Sequence, residues 1–171
     1  MSTSLKVKKR TPKRKKKKSE KVVVDGPFLA KQPLFNTLEE SVQNKISALI
    51  KYKELKRKKV LFEGKPIDDT FSPVFIVLYG DIAVYRTIKD DQGQLQEEVS
   101  TYLTVGESYI QKLHVTDQTQ KIRVESMCPI KVLEFTYNEL NYLFSKSVDF
   151  RNAFSTVIQE ITRRQAQRFN N

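Results

Sequence analysis

Between residues 59 and 135 the chain is a series of short runs rich in β-branched and aromatic side chains, each closed off by Gly, Asp or Pro. The clearest are Lys59-Val60-Leu61-Phe62, Val74-Phe75-Ile76-Val77-Leu78-Tyr79, Ile82 to Ile88, Gln96 to Leu103, Lys121 to Ser126 and Ile130 to Phe135. Such residues suit a pleated surface, and the close spacing suits an antiparallel sandwich or barrel rather than a parallel sheet with helical crossovers. Asp90-Asp91-Gln92-Gly93 reads as a tight hairpin connection in which Gly93 takes the positive φ.

Helical spacing flanks this β unit. Leu38, Val42, Ile46, Leu49 and Ile50 trace one face of a helix over about 38–50, with Thr37 as its cap and Glu39 and Glu40 in the first turn. Asp25-Gly26-Pro27 reads as a turn at the entrance to the folded part. Residues 138–144 and 147–168 return to helical spacing, the second with Phe150, Phe154, Val157, Ile158 and Ile161 as its apolar stripe. That stripe is expected to pack inward, no dimer is predicted, and Arg163, Arg164 and Arg168 suggest a wet helix end. The oligomeric state is left open.

The formal charge of +11 is concentrated at one end. Residues 1–21 hold 11 basic groups against the single acid Glu20, leaving +1 for the other 150 residues. Apolar residues are scarce there and like charges repel, so residues 1–21 are read as a disordered basic tail and residues 22–171 as one domain. Lys8, Lys9, Arg10, Lys13, Arg14, Lys15, Lys16, Lys17 and Lys18 are the candidate polyanion-binding residues, similar to a nuclear localisation signal. The same Coulomb attraction would draw them to nucleic acid or to an acidic protein surface, making the chain a component of a larger assembly. The lone Cys128 fits a reducing compartment, and no apolar run has the length of a membrane span. A soluble intracellular protein of the cytoplasm, cytoskeleton or nucleus is expected.

Several segments together resemble the cyclic nucleotide-binding domain. They are Pro33-Leu34-Phe35 with Leu38, Lys59-Val60-Leu61-Phe62-Glu63-Gly64, Phe75 through Tyr85 around Gly80-Asp81, and Tyr102-Leu103-Thr104-Val105-Gly106-Glu107. The resemblance covers about residues 28–168. It implies a mainly β fold with flanking helices: a β-roll or jelly-roll-like barrel, preceded by one helix and followed by one or two C-terminal helices. It also implies a cassette in which backbone N–H groups at a helix start hold a cyclic phosphate, an arginine neutralises it, and a glutamate accepts from the ribose.

The cassette departs from that pattern. Tyr109 takes the aromatic place, but Ile110 stands for the glycine, Gln111 for the glutamate and Gln120 for the arginine. Ile110 would crowd a phosphate approaching the backbone, and Gln120 cannot neutralise one. Ile122 and Val124 are expected to point inward, turning Lys121 and Arg123 out. The expected reading is therefore a non-catalytic scaffold or regulatory module without bound cofactor. The alternative is a working cAMP or cGMP sensor that uses Gly106, Glu107, Tyr109, Gln111 and Gln120 as an altered cassette.

Other candidates are weaker. His114, the single histidine, has no cysteine or acid at metal-ligand spacing, so no metal site is expected and it is read as an exposed loop residue. No nucleophile motif accompanies it, so no catalytic residue is assigned. Gly64-Lys65-Pro66 lacks the second glycine of a phosphate loop and reads as a turn. Asp68-Asp69 and Asp90-Asp91 read as loop carboxylates, and Phe62, Phe71, Phe75, Tyr79 and Tyr85 as core packing. A body of charge +1 argues against its taking part in nucleic-acid recognition.

Overall fold

The computed structural model describes residues 22–115 and 120–169. The basic run Lys8 to Lys18 therefore lies outside the described residues. Among the described residues, eight antiparallel strands form two four-stranded sheets without closing a barrel. One sheet has the order β1 (Lys51–Leu55), β8 (Ile130–Thr136), β3 (Pro73–Tyr79), β6 (Ser108–Ile110). The other has β2 (Val60–Gly64), β7 (Ile122–Ser126), β4 (Ile82–Lys89), β5 (Leu95–Leu103).

The two sheets differ in how many faces they bury. Phe75, Val77, Ile130 and Val132 meet Ile82, Val84, Ile122 and Val124 of the second sheet in the roll interior. The intervening Val74, Ile76, Leu133 and Phe135 meet the helices on the other side. A strand buried on both faces reads as a continuous apolar run, as β3 does, whereas β8 supplies apolar residues to both faces but is interrupted by Lys131 and Glu134. Strand β7 alternates instead: Ile122 and Val124 are buried while Lys121 and Arg123 face out, as expected. Arg123 lies over the Tyr85 ring at 4.1 Å and pairs with Glu97 and Glu125.

Two helices precede the roll, not one. Asp25-Gly26-Pro27 starts α1 (Gly26–Ala30), where Asp25 caps by accepting from the Phe28 N–H at 2.7 Å. The predicted helix over 38–50 is shorter, α2 (Glu40–Ser47), with Glu39 at the cap position and no side-chain cap bond. Thr37 instead donates to the Leu34 carbonyl, and Leu49 is exposed while Ile50 is buried. Two helices follow the roll: α3 (Tyr137–Lys146), held by a capping box between Thr136 and Glu139, and α4 (Val148–Phe169). Phe150, Phe154 and Ile161 of α4 are fully buried in the fold.

Phe71 and Tyr79 correct the expectation of core packing, being 71% and 59% exposed. Phe71 sits on a single 3-10 turn ahead of β3. Tyr79 shares the parity of inward Phe75 and Val77, but a register shift between Val77 and Tyr79 turns it out. The hairpin at Asp90 is as expected, with Gly93 at φ 76° and Asp90 accepting from the N–H groups of Gln92 and Gln94. Among the described residues no helix is long and apolar enough to cross a membrane.

Candidate functional site

The cassette region is a turn, the short strand β6 and one 3-10 turn at Gln111–Leu113. Gly106 begins it at φ 85°, donating to the Val77 carbonyl, while Val77 donates to the Glu107 carbonyl. The Glu107 carboxylate is already committed: Oε2 accepts from the Thr104 N–H at 2.9 Å and Oε1 pairs with Arg164 of α4. Arg164 is thus half-buried against the cassette, whereas Arg163 is exposed, as expected of a wet helix end, and pairs with Glu160. The side chain of Arg168 lies outside the described residues.

Tyr109 points into the roll interior, fully buried, with Phe75 at 5.6 Å and its hydroxyl without a partner among the described residues. Burial pushes its phenol further up from its ordinary range. His114 stacks on it at 5.3 Å between ring centroids and 7° between planes. His114 is therefore not an exposed loop residue but 1% exposed. Its Nδ1 faces Gln165 Nε2 of α4 at 3.2 Å and Ser100 Oγ of β5 at 3.3 Å. Nδ1 is thus the hydrogen-bonded ring nitrogen, while Nε2 is buried without a partner among the described residues. Burial, and secondarily the charge of Arg86, push the His114 pKa down to about 3.

Ile110 is extended, at φ −135° and ψ 126°, and pairs with Val74 as a strand residue. Its side chain is buried among the helix-facing apolar residues. Gln111 is 2% exposed, and both ends of its amide are bound to one residue. Nε2 donates to the Ile67 carbonyl at 2.8 Å and Oε1 accepts from the Ile67 N–H at 3.2 Å. Gln120 is half-buried and lines a different hollow, with Lys65, Thr87 and Lys121, from the one lined by Gln111, Ile67 and Thr70. The structure thus brings Gly106, Glu107, Tyr109 and Gln111 onto one short segment, with Gln120 facing elsewhere.

Sequence reasoning gave Arg86, Arg164 and Gln165 no part in the site. Arg86 shares the parity of inward Ile82 and Val84 on β4, and pairs with Glu98 across the ladder at 2.5 Å. Arg164 and Gln165 lie three and four residues beyond buried Ile161, on the same helical face. Both periodicities were available in the sequence.

The bidentate lock on Ile67 sets the expected behaviour of a Gln111→Glu variant. The introduced carboxylate can accept from the Ile67 N–H but faces the Ile67 carbonyl without a donor, so the variant should lose about 2 kcal/mol at pH 7. Its protonated form restores the donor, so the folded-state pKa is raised. The deficit should shrink as pH falls toward about 4 and grow as pH rises through that raised pKa. Urea denaturation at pH 7 and pH 4.5 measures this, and a deficit that widens on acidification would refute the lock.

No family model and no curated protein matches this sequence. Solved structures do match in fold. One is a CooA variant from Carboxydothermus hydrogenoformans, at TM-score 0.59 and 15% identity over 83% of this chain and 86% of that one. Another is a protein assigned to the Crp/Fnr family of transcriptional regulators from Eubacterium rectale, at TM-score 0.57 and 15% identity over 79% of this chain. This chain spans 60% of that protein's length. A third is the regulatory subunit of a cAMP-independent protein kinase A from Trypanosoma brucei, at TM-score 0.50 and 13% identity over 76% of this chain and 45% of that one. At such identities the likeness carries the fold alone, and the fold is that of the cyclic-nucleotide-binding-like sensor domains of regulatory proteins.

Proposed function

We propose that this chain is a non-catalytic regulatory or scaffold module whose cassette takes no cyclic nucleotide and whose basic N-terminal segment attaches it to a polyanionic partner inside the cell. The observation that carries the reading is the commitment of Gln111. Both ends of its amide are bound to the backbone of Ile67 and the side chain is 2% exposed, so the residue in the place of the sugar-binding glutamate is engaged within the fold rather than presented to a ribose. Tyr109 and His114 support it by occupying roll interior with their own stacked rings. Ile110 supports it through an extended backbone and a side chain where the family pattern has glycine. Gln120 supplies no positive charge, and losing a charge-assisted phosphate contact lowers affinity on the order of 10²-fold.

A regulatory role on this fold without cAMP control has a parallel in the cAMP-independent kinase subunit of Trypanosoma brucei. The regulatory character of the structural neighbours supports a non-enzymatic role. Calorimetric titration of the full chain with cAMP and cGMP, with 5′-AMP as a control for attraction to the basic segment, tests the reading. No saturable heat up to millimolar ligand is expected. Micromolar binding selective for the cyclic forms would make the protein a second-messenger sensor instead.

A further inference from the structure

The charge of +1 over residues 22–171 conceals a segregation. Residues 51–59 alone carry Lys51, Lys53, Lys56, Arg57, Lys58 and Lys59 against the single acid Glu54, which is +5 in nine residues. The remainder of 22–171 then sums to −4, since +1 minus +5 is −4. The cations occupy edge strand β1 and the turn that follows it. Lys53 pairs with Glu134, and Glu54 with Lys131. Lys51, Lys56, Arg57, Lys58 and Lys59 are exposed and pair with no carboxylate among the described residues.

The turn is rigidly held. Ser126, fully buried at the end of β7, donates through Oγ to the Lys56 carbonyl at 2.6 Å and accepts from the Lys59 N–H at 2.8 Å. Its own carbonyl accepts from the Lys58 N–H at 2.8 Å. Lys58 sits in the left-handed region at φ 58°, where glycine or asparagine would be less strained. Lysines on an edge strand also deter strand pairing, but the four consecutive cations at 56–59 lie on the turn, where there is no ladder to guard. The first described residues, Val22–Val24, border Ile50, Lys51 and Tyr52, so the basic N-terminal segment joins the fold at the start of this ridge.

We propose that the β1 ridge and its turn, Lys51 and Lys56 to Lys59, are a docking surface for the sugar-phosphate backbone of duplex nucleic acid. Five strand residues span about 16 Å. A duplex presents roughly nine charges over that distance, whereas an extended peptide presents about five even if every residue is acidic. A pinned row of cations gains most from a partner whose charges are dense and equally rigid. The cations are mainly lysines, point charges suited to phosphate rather than to bidentate base readout, so binding should be independent of sequence. The inference stands whether or not the cassette takes a nucleotide, and it deepens the reading of the polyanionic partner.

The test uses the full chain and a fluorescein-labelled 24-base-pair DNA duplex, followed by anisotropy across a salt series. Lys56→Gln/Arg57→Gln/Lys59→Gln should weaken binding on the order of tenfold and reduce the log–log salt slope by about 2 to 3, with an unchanged melting temperature. Lys31→Gln/Lys45→Gln/Lys146→Gln removes equal charge elsewhere and should stay within about twofold of the parent. A tail variant, Lys15→Gln through Lys18→Gln, separately reports whether the N-terminal segment attaches. The ridge proposal is overturned if the turn variant keeps the parent's affinity and slope, or if the control triple falls equally. It is also overturned if a poly-glutamate peptide of matched charge binds as tightly as the duplex, which assigns the turn to an acidic protein.

Discussion

Gly80→Ala is expected to destabilise the protein by about 3 kcal/mol. Gly80 makes the turn between β3 and β4 at φ 78°, a region in which a Cβ costs on the order of 1 kcal/mol. The larger part is steric. A methyl there would stand 2.5 Å from the Pro129 carbonyl oxygen, 2.9 Å from Cys128 Sγ and 3.0 Å from Ile130 Cγ2. The nearest obstacle is backbone, so the turn before β4 and the turn before β8 must move apart, an overpacking effect of about 1–3 kcal/mol. That separation loosens two bonds between them, from the Asp81 N–H to Cys128 Sγ at 3.3 Å and from the Met127 N–H to the Asp81 carbonyl at 2.9 Å. Gly93→Ala is the matched control, with a similar φ of 76° and nothing within 4 Å of an added Cβ. It should lose only about 1 kcal/mol. Equal effects of the two substitutions in urea denaturation would remove the packing account.

The strands were legible wherever their burial gave a distinct pattern. Strand β3 shows as an unbroken apolar run because both faces are covered, β7 shows as clean alternation because one is, and β8 shows as an apolar segment interrupted only by Lys131 and Glu134. Strand β1 escaped because Lys51-Tyr52-Lys53-Glu54-Leu55 lies at a sheet edge and buries nothing completely. Strand β6 is three residues long, too short for any period to show. Within the candidate site, the departures at Ile110, Gln111 and Gln120 were legible as residue types, but not the use to which Gln111 is put. Its partner Ile67 is 44 positions away and bonds through its backbone, which leaves no mark in the sequence. The burial of His114 was illegible for a similar reason, since its neighbours come from β4, β5, β6 and α4. Net charge is silent about distribution: a sum of +1 over the folded part contains +5 in one nine-residue stretch.

His114 should make the protein acid-sensitive well above the carboxylate range, and His114→Phe should abolish that sensitivity. The folded pKa is pushed down to about 3, against about 6.5 in the unfolded chain. Below pH 6.5 the unfolded chain therefore takes up a proton that the folded one refuses. The stabilisation is fully present above about 6.5 and is lost as pH falls toward 3, at up to about 1.4 kcal/mol per pH unit. By pH 4.5 the loss approaches 3 kcal/mol. Phenylalanine keeps an aromatic ring against Tyr109 but has nothing to titrate, and leaves Gln165 and Ser100 without their ring-nitrogen partner. The variant should start less stable at pH 7.5 yet lose little more by pH 5. Glu97 begins to lose its own stabilisation only below about 4.5, because Arg123 holds its carboxyl below the usual range, so pH 5 to 6.5 isolates the histidine. Parallel stability curves for parent and variant over that window would show that His114 protonates in place. A divergence of about one proton would establish it as a neutral filler of the roll across physiological pH, joining the cassette to α4 through Gln165 as Glu107 does through Arg164.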